Sequence, residues 1–130
     1  LNRRGFEQQL VREAARGARS GSDIALLAMD IDHFKAINDT HGHTAGDDAI
    51  RRVGALLRQH VRPGDLVGRY GGEEFLLLLP GTVLDSAVTF ADRLRHCVEE
   101  HTFTYDGGTL KRTMSCGVVS SSILRLVCAK

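Results

Sequence analysis

The sequence has no excess of charge of either sign: seventeen Lys and Arg stand against sixteen Asp and Glu, a formal net charge of +1. That lack excludes the electrostatic footprint of a domain that tracks a nucleic-acid backbone or an anionic membrane surface, so any phosphate recognition must be local. Cysteine is scarce. The three present, Cys97, Cys116 and Cys128, are odd in number and form no C-x-x-C pair, which argues against a disulfide framework or a zinc site and fits a reducing cytoplasm. No apolar run approaches the roughly 20 residues of a membrane helix, and the opening LNRRGFEQQL has no secretory apolar region. The expected location is cytoplasmic with no direct membrane contact, which leaves open an anchor elsewhere in a longer parent protein. Internal repeats and low-complexity linkers are also lacking. The 130 residues, 42% hydrophobic and 25% charged, suit one domain over 1–130 with a single core.

What is present is a succession of periodic segments. From Arg3 to Ala18 the apolar positions Phe6, Leu10, Ala14 and Ala18 recur at helical spacing, with Gly17 and SGSD as the stop. IALLAM is a short continuous apolar run and predicts a central strand. The passage DIDHFKAINDTHGHTAGDD then reads as polar and glycine-containing, before Ala49, Ile50, Val53, Leu57 and Val61 mark a second helix that ends in the turn RPGD. LVGRY and EEFLLLLP flank a Gly-Gly pair and predict a tight β-hairpin whose turn takes positive φ. Leu84, Ala87, Val88, Ala91, Leu94 and Val98 form the face of a third helix, and FTYDGGTLKRTMSCGVV reads as another hairpin turning at DGG. The tail SSSILRLVCAK has no evident place. The order α-β-α-β-β-α-β-β predicts an α/β (α+β) domain, one mixed or antiparallel sheet covered by helices, with loops at one edge carrying the chemistry.

Residues 69–75, RYGGEEF, place two carboxylates against one of the most apolar runs in the chain. Desolvating a carboxylate costs several kcal/mol, roughly, unless a cation or donors compensate. Asp30 and Asp32 lie two apart at the end of the first strand, so both point to one face if the strand continues that far. Should the hairpin pair beside that strand, Glu73 joins them, and an all-oxygen ligand set suits a hard cation such as Mg²⁺ carrying a substrate triphosphate. Aspartates that cap a loop and glutamates left in water account more simply for either cluster alone. The two together, with Gly-Gly, favour the metal.

With these motifs in order and at this spacing, the chain resembles the GGDEF domain of diguanylate cyclases, from NRRGF at 2–6 through TMSCGV at 113–118. The resemblance implies a palm-like nucleotidyl-cyclase fold, with a hairpin carrying GGEEF, that condenses two GTP into cyclic di-GMP and pyrophosphate. It implies that Asp30, the carbonyl of Ile31 and Glu73 bind Mg²⁺, with Mn²⁺ as a substitute. It further implies that Glu73 helps deprotonate the attacking ribose hydroxyl and that Glu74 completes the catalytic tip. Lys35 and the N–H groups of His33 and Phe34 would hold phosphates. Asn38 and Asp47 match the guanine-reading positions, a sensible match because a carboxylate accepts from the N–H edge of guanine; as structure alone, Asn38 would cap a turn and Asp47 would sit in the first turn of the second helix. His41 and His43 lack partners at zinc spacing and are assigned no catalysis.

RPGD at 62–65 is a turn on physics alone, yet Arg62-x-x-Asp65 also matches the family's inhibitory product site, with Arg93 as its secondary arginine. Two GTP per product implies a homodimer, usually supplied by an upstream sensor or coiled coil, and LNRR falls inside the family's N-terminal signature, so the chain is expected to be cut there. The family continues after TMSCGV with an Ala-Asp-x-Ala-Leu-Tyr-x-Ala-Lys helix and a Gly-Arg-Asn turn; here SSSILRLVCAK, ending in Lys130, is short or divergent. The alternative is a catalytically impaired module that binds GTP or cyclic di-GMP as a receptor. A different Mg²⁺-dependent cyclase or polymerase palm is disfavoured by the guanine positions and the modest charge.

Overall fold

Asn2 starts the first helix: its Oδ1 accepts from the N–H of Gly5 at 2.8 Å, satisfying one of the donors a helix start leaves free. The structure, a computed structural model, describes residues 2–105 and 108–121. Helix α1 (Arg3–Ser20) ends at Gly21, which sits at φ 72° where glycine alone carries no steric cost. Strand β1 (Ile24–Ile31) follows, then α2 (Phe34–His41), α3 (His43–His60), β2 (Leu66–Arg69), β3 (Glu74–Pro80), α4 (Leu84–Glu100), β4 (Phe103–Tyr105), β5 (Gly108–Leu110) and β6 (Met114–Ser120).

Four of the strands form one antiparallel sheet in the order β2-β3-β1-β6. β1 lies inside it, which is why IALLAM shows no polar alternation: Leu27 and Met29 face one layer of helices while Ile24 and Leu26 face the other. On the first face the buried Phe75, Leu77 and Leu79 of β3 join Ala25, Leu27, Met29 and Ile31 of β1. They pack against Phe34 and Ile37 of α2, Ile50, Val53 and Leu57 of α3, and Ala91, Leu94 and Val98 of α4. Each such Leu, Ile or Val stabilises by roughly 1.5–3 kcal/mol. On the second face α1 sets Phe6 against Ile24 and Leu78, with an open apolar groove of about 360 Å³ beside it, lined among others by Leu10, Ala14, Ile24 and Val119.

The expected class, an α/β domain with a helix-covered sheet and the central strand at IALLAM, is the one observed, and three expectations change in detail. The passage after β1 holds a helix of its own, α2, because Phe34 and Ile37 pack one turn apart on the core; Gly42 at φ 89° separates it from α3. TMSCGVV does not turn back on FTY: β4 pairs β5 in a separate two-stranded sheet, whereas β6 flanks β1. Ala14, Ala18 and Val88 are exposed although their spacing fits the inward faces, because Gly17 makes the close approach to Ile24 and Ala87 and Ala91 fill the α4 contact. Part of the DGG turn and nearly all of SSSILRLVCAK lie outside the described residues.

Candidate functional site

The pairing of β1 with β3 sets the chemistry. Antiparallel register places Asp30 opposite Glu74, and one step further the Ile31 N–H donates to the carbonyl of Glu73 at 3.4 Å. The tip of the β2–β3 hairpin therefore lies against the end of β1, with Asp30 half-buried, Glu73 half-buried and Glu74 exposed. Burial, followed by the charges of Glu73, Glu74 and Asp32, pushes the Asp30 carboxyl above the usual range. Its Oδ1 is buried without a hydrogen-bond partner. An acid held this way is short of a cation or a donor.

Asp32 does not share that arrangement. The strand ends at Ile31, the N–H of Asp32 donates to Thr113 O at 2.9 Å, and its carboxylate accepts from Ser115 Oγ at 2.6 Å and Thr113 Oγ1 at 2.7 Å. Those hydroxyls, Ser115 foremost, hold it below the usual carboxylate range. It ties β1 to β6 and leaves Asp30 and Glu73 as the acids at the open end.

The glycines of the tip serve a purpose other than the expected one. Neither Gly71 nor Gly72 is at positive φ; instead a Cβ on Gly71 would stand 3.2 Å from Glu74 Oε2, and a Cβ on Gly72 would meet nothing within 4 Å. Arg69, which the sequence reading passed over, fixes this bend: Nε donates to Gly71 O and Gly72 O at 3.3 and 3.2 Å, and Nη2 to Gly72 O at 3.0 Å. An arginine two residues ahead of a glycine pair was the available signal.

Immediately after β1 the chain reverses through His33, a non-glycine residue in the left-handed region at φ 57° and ψ 33°. Such a conformation costs of order 1–3 kcal/mol, so the buried Phe34 that follows must hold it. Helix α2 starts there with no side-chain cap, which leaves the first N–H groups of the helix, those of Phe34 and Lys35 among them, available to an anion. The Lys35 side chain is exposed beside them. Asn38 points from α2 toward α3: its Oδ1 is buried and unpartnered, and a Cβ on Gly46 would overlap it. Asp47 is the next residue. It lies in the second turn of α3, not the first as expected, because the helix begins at His43. The structure thus sets Asn38 against Gly46, the residue before Asp47, while Asp47 itself lines a cavity of about 390 Å³ together with Arg51, Arg58, Arg69 and Phe75; Asn38 is not among that cavity's lining residues.

Two carboxylates and a main-chain carbonyl are a hard, all-oxygen donor set, and the unpaired, charge-crowded Asp30 is the group that a divalent cation would relieve. Among the described residues no group of three or more His, Cys, Asp or Glu side chains comes close enough to hold a metal by itself.

A second pocket, of about 350 Å³, opens at the other end of β3 between the RPGD turn and α4, lined by His60, Arg62, Asp65, Thr82, Phe90 and Arg93 among others. RPGD is a turn, as local physics required, with Asp65 N donating to Arg62 O at 3.0 Å. Arg62 is held by the buried carboxylate of Asp65 at 3.3 Å and by Thr82 Oγ1 at 2.7 Å. Arg93 lies across the Phe90 ring at 5.3 Å. Thr82 went unnoticed in the sequence, since nothing local links it to a position twenty residues earlier.

The family model described as "Diguanylate cyclase, GGDEF domain" matches residues 1–124. The chain is 40% identical over 119 residues to diguanylate cyclase DgcP of Pseudomonas aeruginosa, covering 92% of this chain and 18% of that protein. It is 41% identical over 123 residues to the response regulator PleD of Caulobacter vibrioides, covering 93% of this chain and 27% of that one. It therefore spans about a quarter or less of these relatives' length. Among solved structures, the GGDEF domain of DgcB from Caulobacter crescentus in complex with c-di-GMP superposes with a TM-score of 0.87 at 34% identity, covering 92% of this chain and 69% of that one. The active GGEEF domain of a diguanylate cyclase from Vibrio cholerae gives 0.85 at 31% identity, covering 92% and 75%.

Proposed function

The chain belongs to the GGDEF domain family, and from that premise we propose that it is the catalytic domain of a diguanylate cyclase, joining two GTP into cyclic di-GMP with release of pyrophosphate. The observation that carries the proposal is the register of β1 on β3, which sets the crowded, unpaired Asp30 beside Glu73 and Glu74 at the open end of the sheet.

In this reading Asp30, the Ile31 carbonyl and Glu73 hold Mg²⁺ or Mn²⁺. Once bound, the ion supplies Lewis-acid polarisation of the α-phosphate and offsets charge on the leaving pyrophosphate. The N–H groups of His33, just ahead of α2, and of Phe34, its first residue, and the ammonium of Lys35 hold the triphosphate. Asn38 and Asp47 accept from the N–H edge of guanine, a donor pair that adenine lacks. Glu73, beside the ribose, takes the proton from the attacking hydroxyl, and Glu74 completes the acidic tip. Each chain binds one nucleotide, so the bond forms between two copies that face each other about a two-fold axis.

The Arg62, Asp65 and Arg93 pocket is assigned to the product as an inhibitor. An arginine pre-aimed by Asp65 and Thr82 suits a bidentate acceptor such as guanine O6 and N7 or a phosphate, and the related DgcB domain was solved in complex with c-di-GMP. The same pocket supports a second reading, a receptor that binds cyclic di-GMP without making it, because none of its residues belongs to the acidic tip.

Incubating the chain with GTP and Mg²⁺, next to Asp30→Asn and Arg62→Ala, separates the two. Cyclic di-GMP from the parent chain, none from Asp30→Asn, and weaker self-inhibition in Arg62→Ala is the expected result. Binding of cyclic di-GMP without product formation at any chain concentration, with a dimerising segment fused ahead of Asn2 as well as without, establishes the receptor instead.

A further inference from the structure

The acidic tip is held to β1 by the Ile31 N–H bond to Glu73 O and is bent by the Arg69 bonds to Gly71 O and Gly72 O. The β2–β3 ladder ends at Arg69 opposite Phe75, so residues 70–73 extend beyond it, and the bond that closes their bend runs from Tyr70 N–H to Glu74 O at 2.9 Å. Tyr70 is also fastened elsewhere. Its hydroxyl donates to Glu7 Oε1 on α1 at 2.6 Å, across 63 residues of sequence. Glu7 in turn pairs with Arg3 at 3.3 Å, and the Arg3 guanidinium lies over the Tyr70 ring at 4.4 Å. The Glu7 carboxylate, with the Tyr70 hydrogen bond foremost and Arg3 next, is held below its ordinary range.

Docking of α1 does not need this triad. Phe6 is fully buried, with Ile24 and Leu78 in its cluster, and its ring fills the space a Cβ on Gly68 would take. Arg3 and Glu7 are exposed, where an ion pair adds little to stability. What the triad does fix is the attitude of the tip, since Tyr70 is both the residue bonded to Glu7 and the one that closes the bend carrying Glu73.

We infer that Tyr70 and Glu7 are positioning residues for the proposed cyclase: the Tyr70 hydroxyl pins the acidic hairpin tip to helix α1 and thereby, together with the Ile31–Glu73 bond and Arg69, steadies Glu73 against Asp30. This rests on the cyclase reading for its effect on turnover, but the tether itself is a property of the fold.

The test compares Tyr70→Phe, Glu7→Ala, Glu7→Gln and the double variant Tyr70→Phe/Glu7→Ala by amide hydrogen exchange and by cyclic di-GMP formation. Glutamine keeps an oxygen that accepts from the hydroxyl and loses the charge. Tyr70→Phe and Glu7→Ala are expected to speed exchange over residues 70–74 by about five-fold, the scale of one typical lost hydrogen bond, with an unchanged unfolding midpoint. Turnover should fall by a similar factor with KM for GTP held within about two-fold. Glu7→Gln should stay near the parent, and the double variant should match the singles, since both remove one interaction. Exchange at the tip that is unchanged in Tyr70→Phe, or equally fast in Glu7→Gln and Glu7→Ala, overturns the tether. If the parent chain makes no product, the cyclase reading falls by itself and the exchange data still decide the tether.

Discussion

Asp30 and Asp32, two residues apart, are held in opposite senses, and each makes a different contribution to the fold. Asp30 is pushed up by burial and by neighbouring acids. A carboxyl with a raised folded value favours folding while protonated, so its contribution is present below the ordinary aspartate range near pH 4 and lost as pH rises through the folded value. Asp32 is pulled down by Ser115 and Thr113; its contribution is present above that range and lost as pH falls through the folded value. In cation-free buffer at pH 7, Asp30→Asn should therefore raise the thermal midpoint and Asp32→Asn should lower it. Both differences should shrink as the pH is taken below about 4. Scanning melts from pH 7 to 3 checks this, and a midpoint for Asp30→Asn below that of the parent at pH 7 would refute the account of the site. The acids themselves were legible because GGEEF and DID are contiguous. The state of Asp32 was not, since its hydroxyl partners lie 81 and 83 residues away and a two-residue period said only that it would point with Asp30.

At the scale of elements, glycine placement separates what the fold needs from what a ligand needs. A Cβ at Gly46 overlaps Asn38 Oδ1, while one at Gly72 meets nothing within 4 Å, and neither glycine lies at positive φ. Gly46→Ala forces α2 and α3 apart or displaces Asn38, an overpacking change of roughly 1–3 kcal/mol, and should weaken GTP binding as well. Gly72→Ala should leave stability within about 0.5 kcal/mol yet depress turnover, if the open space beside Gly72 is the one the nucleotide enters in the proposed cyclase. Calorimetry and GTP titration on both variants measure this, and full activity in Gly72→Ala would remove the reason for a glycine there. The same junction explains what the sequence concealed. Helix α2 is eight residues long, too short for a periodic stripe, and its two core anchors sit among Asp, Asn, His and Lys, so the passage looked like a loop. β6 was misread for a related reason: local pattern finds a strand but not its partner, and the choice between pairing with Phe103 and pairing with β1 is made by the whole sheet. The hairpin itself was readable, because two apolar runs close on a glycine pair, but the role of Arg69 in bending it was not.

In the proposed cyclase each chain carries one guanine-reading pair, Asn38 and Asp47, and one acidic tip, whereas the proposed product contains two guanosines. On that proposal, forming both phosphodiester bonds takes two chains at once. With a net charge of only +1 there is little long-range repulsion or attraction to decide the encounter, and association then follows concentration. At saturating GTP and dilute protein, the initial rate of cyclic di-GMP formation should rise with the square of chain concentration and become linear only where the dimer is saturated. A parallel two-stranded coiled coil fused ahead of Asn2 replaces the bimolecular encounter with an effective concentration in the millimolar range, roughly. It enters through α1, the helix whose Arg3 and Glu7 hold Tyr70 at the acidic tip. The fused chain should therefore show a rate per chain that is independent of dilution over about a hundred-fold range and higher than that of the free chain at the dilute end. A free chain whose rate per molecule is already constant over that range, at concentrations where sedimentation finds only monomer, would rule out the two-copy arrangement.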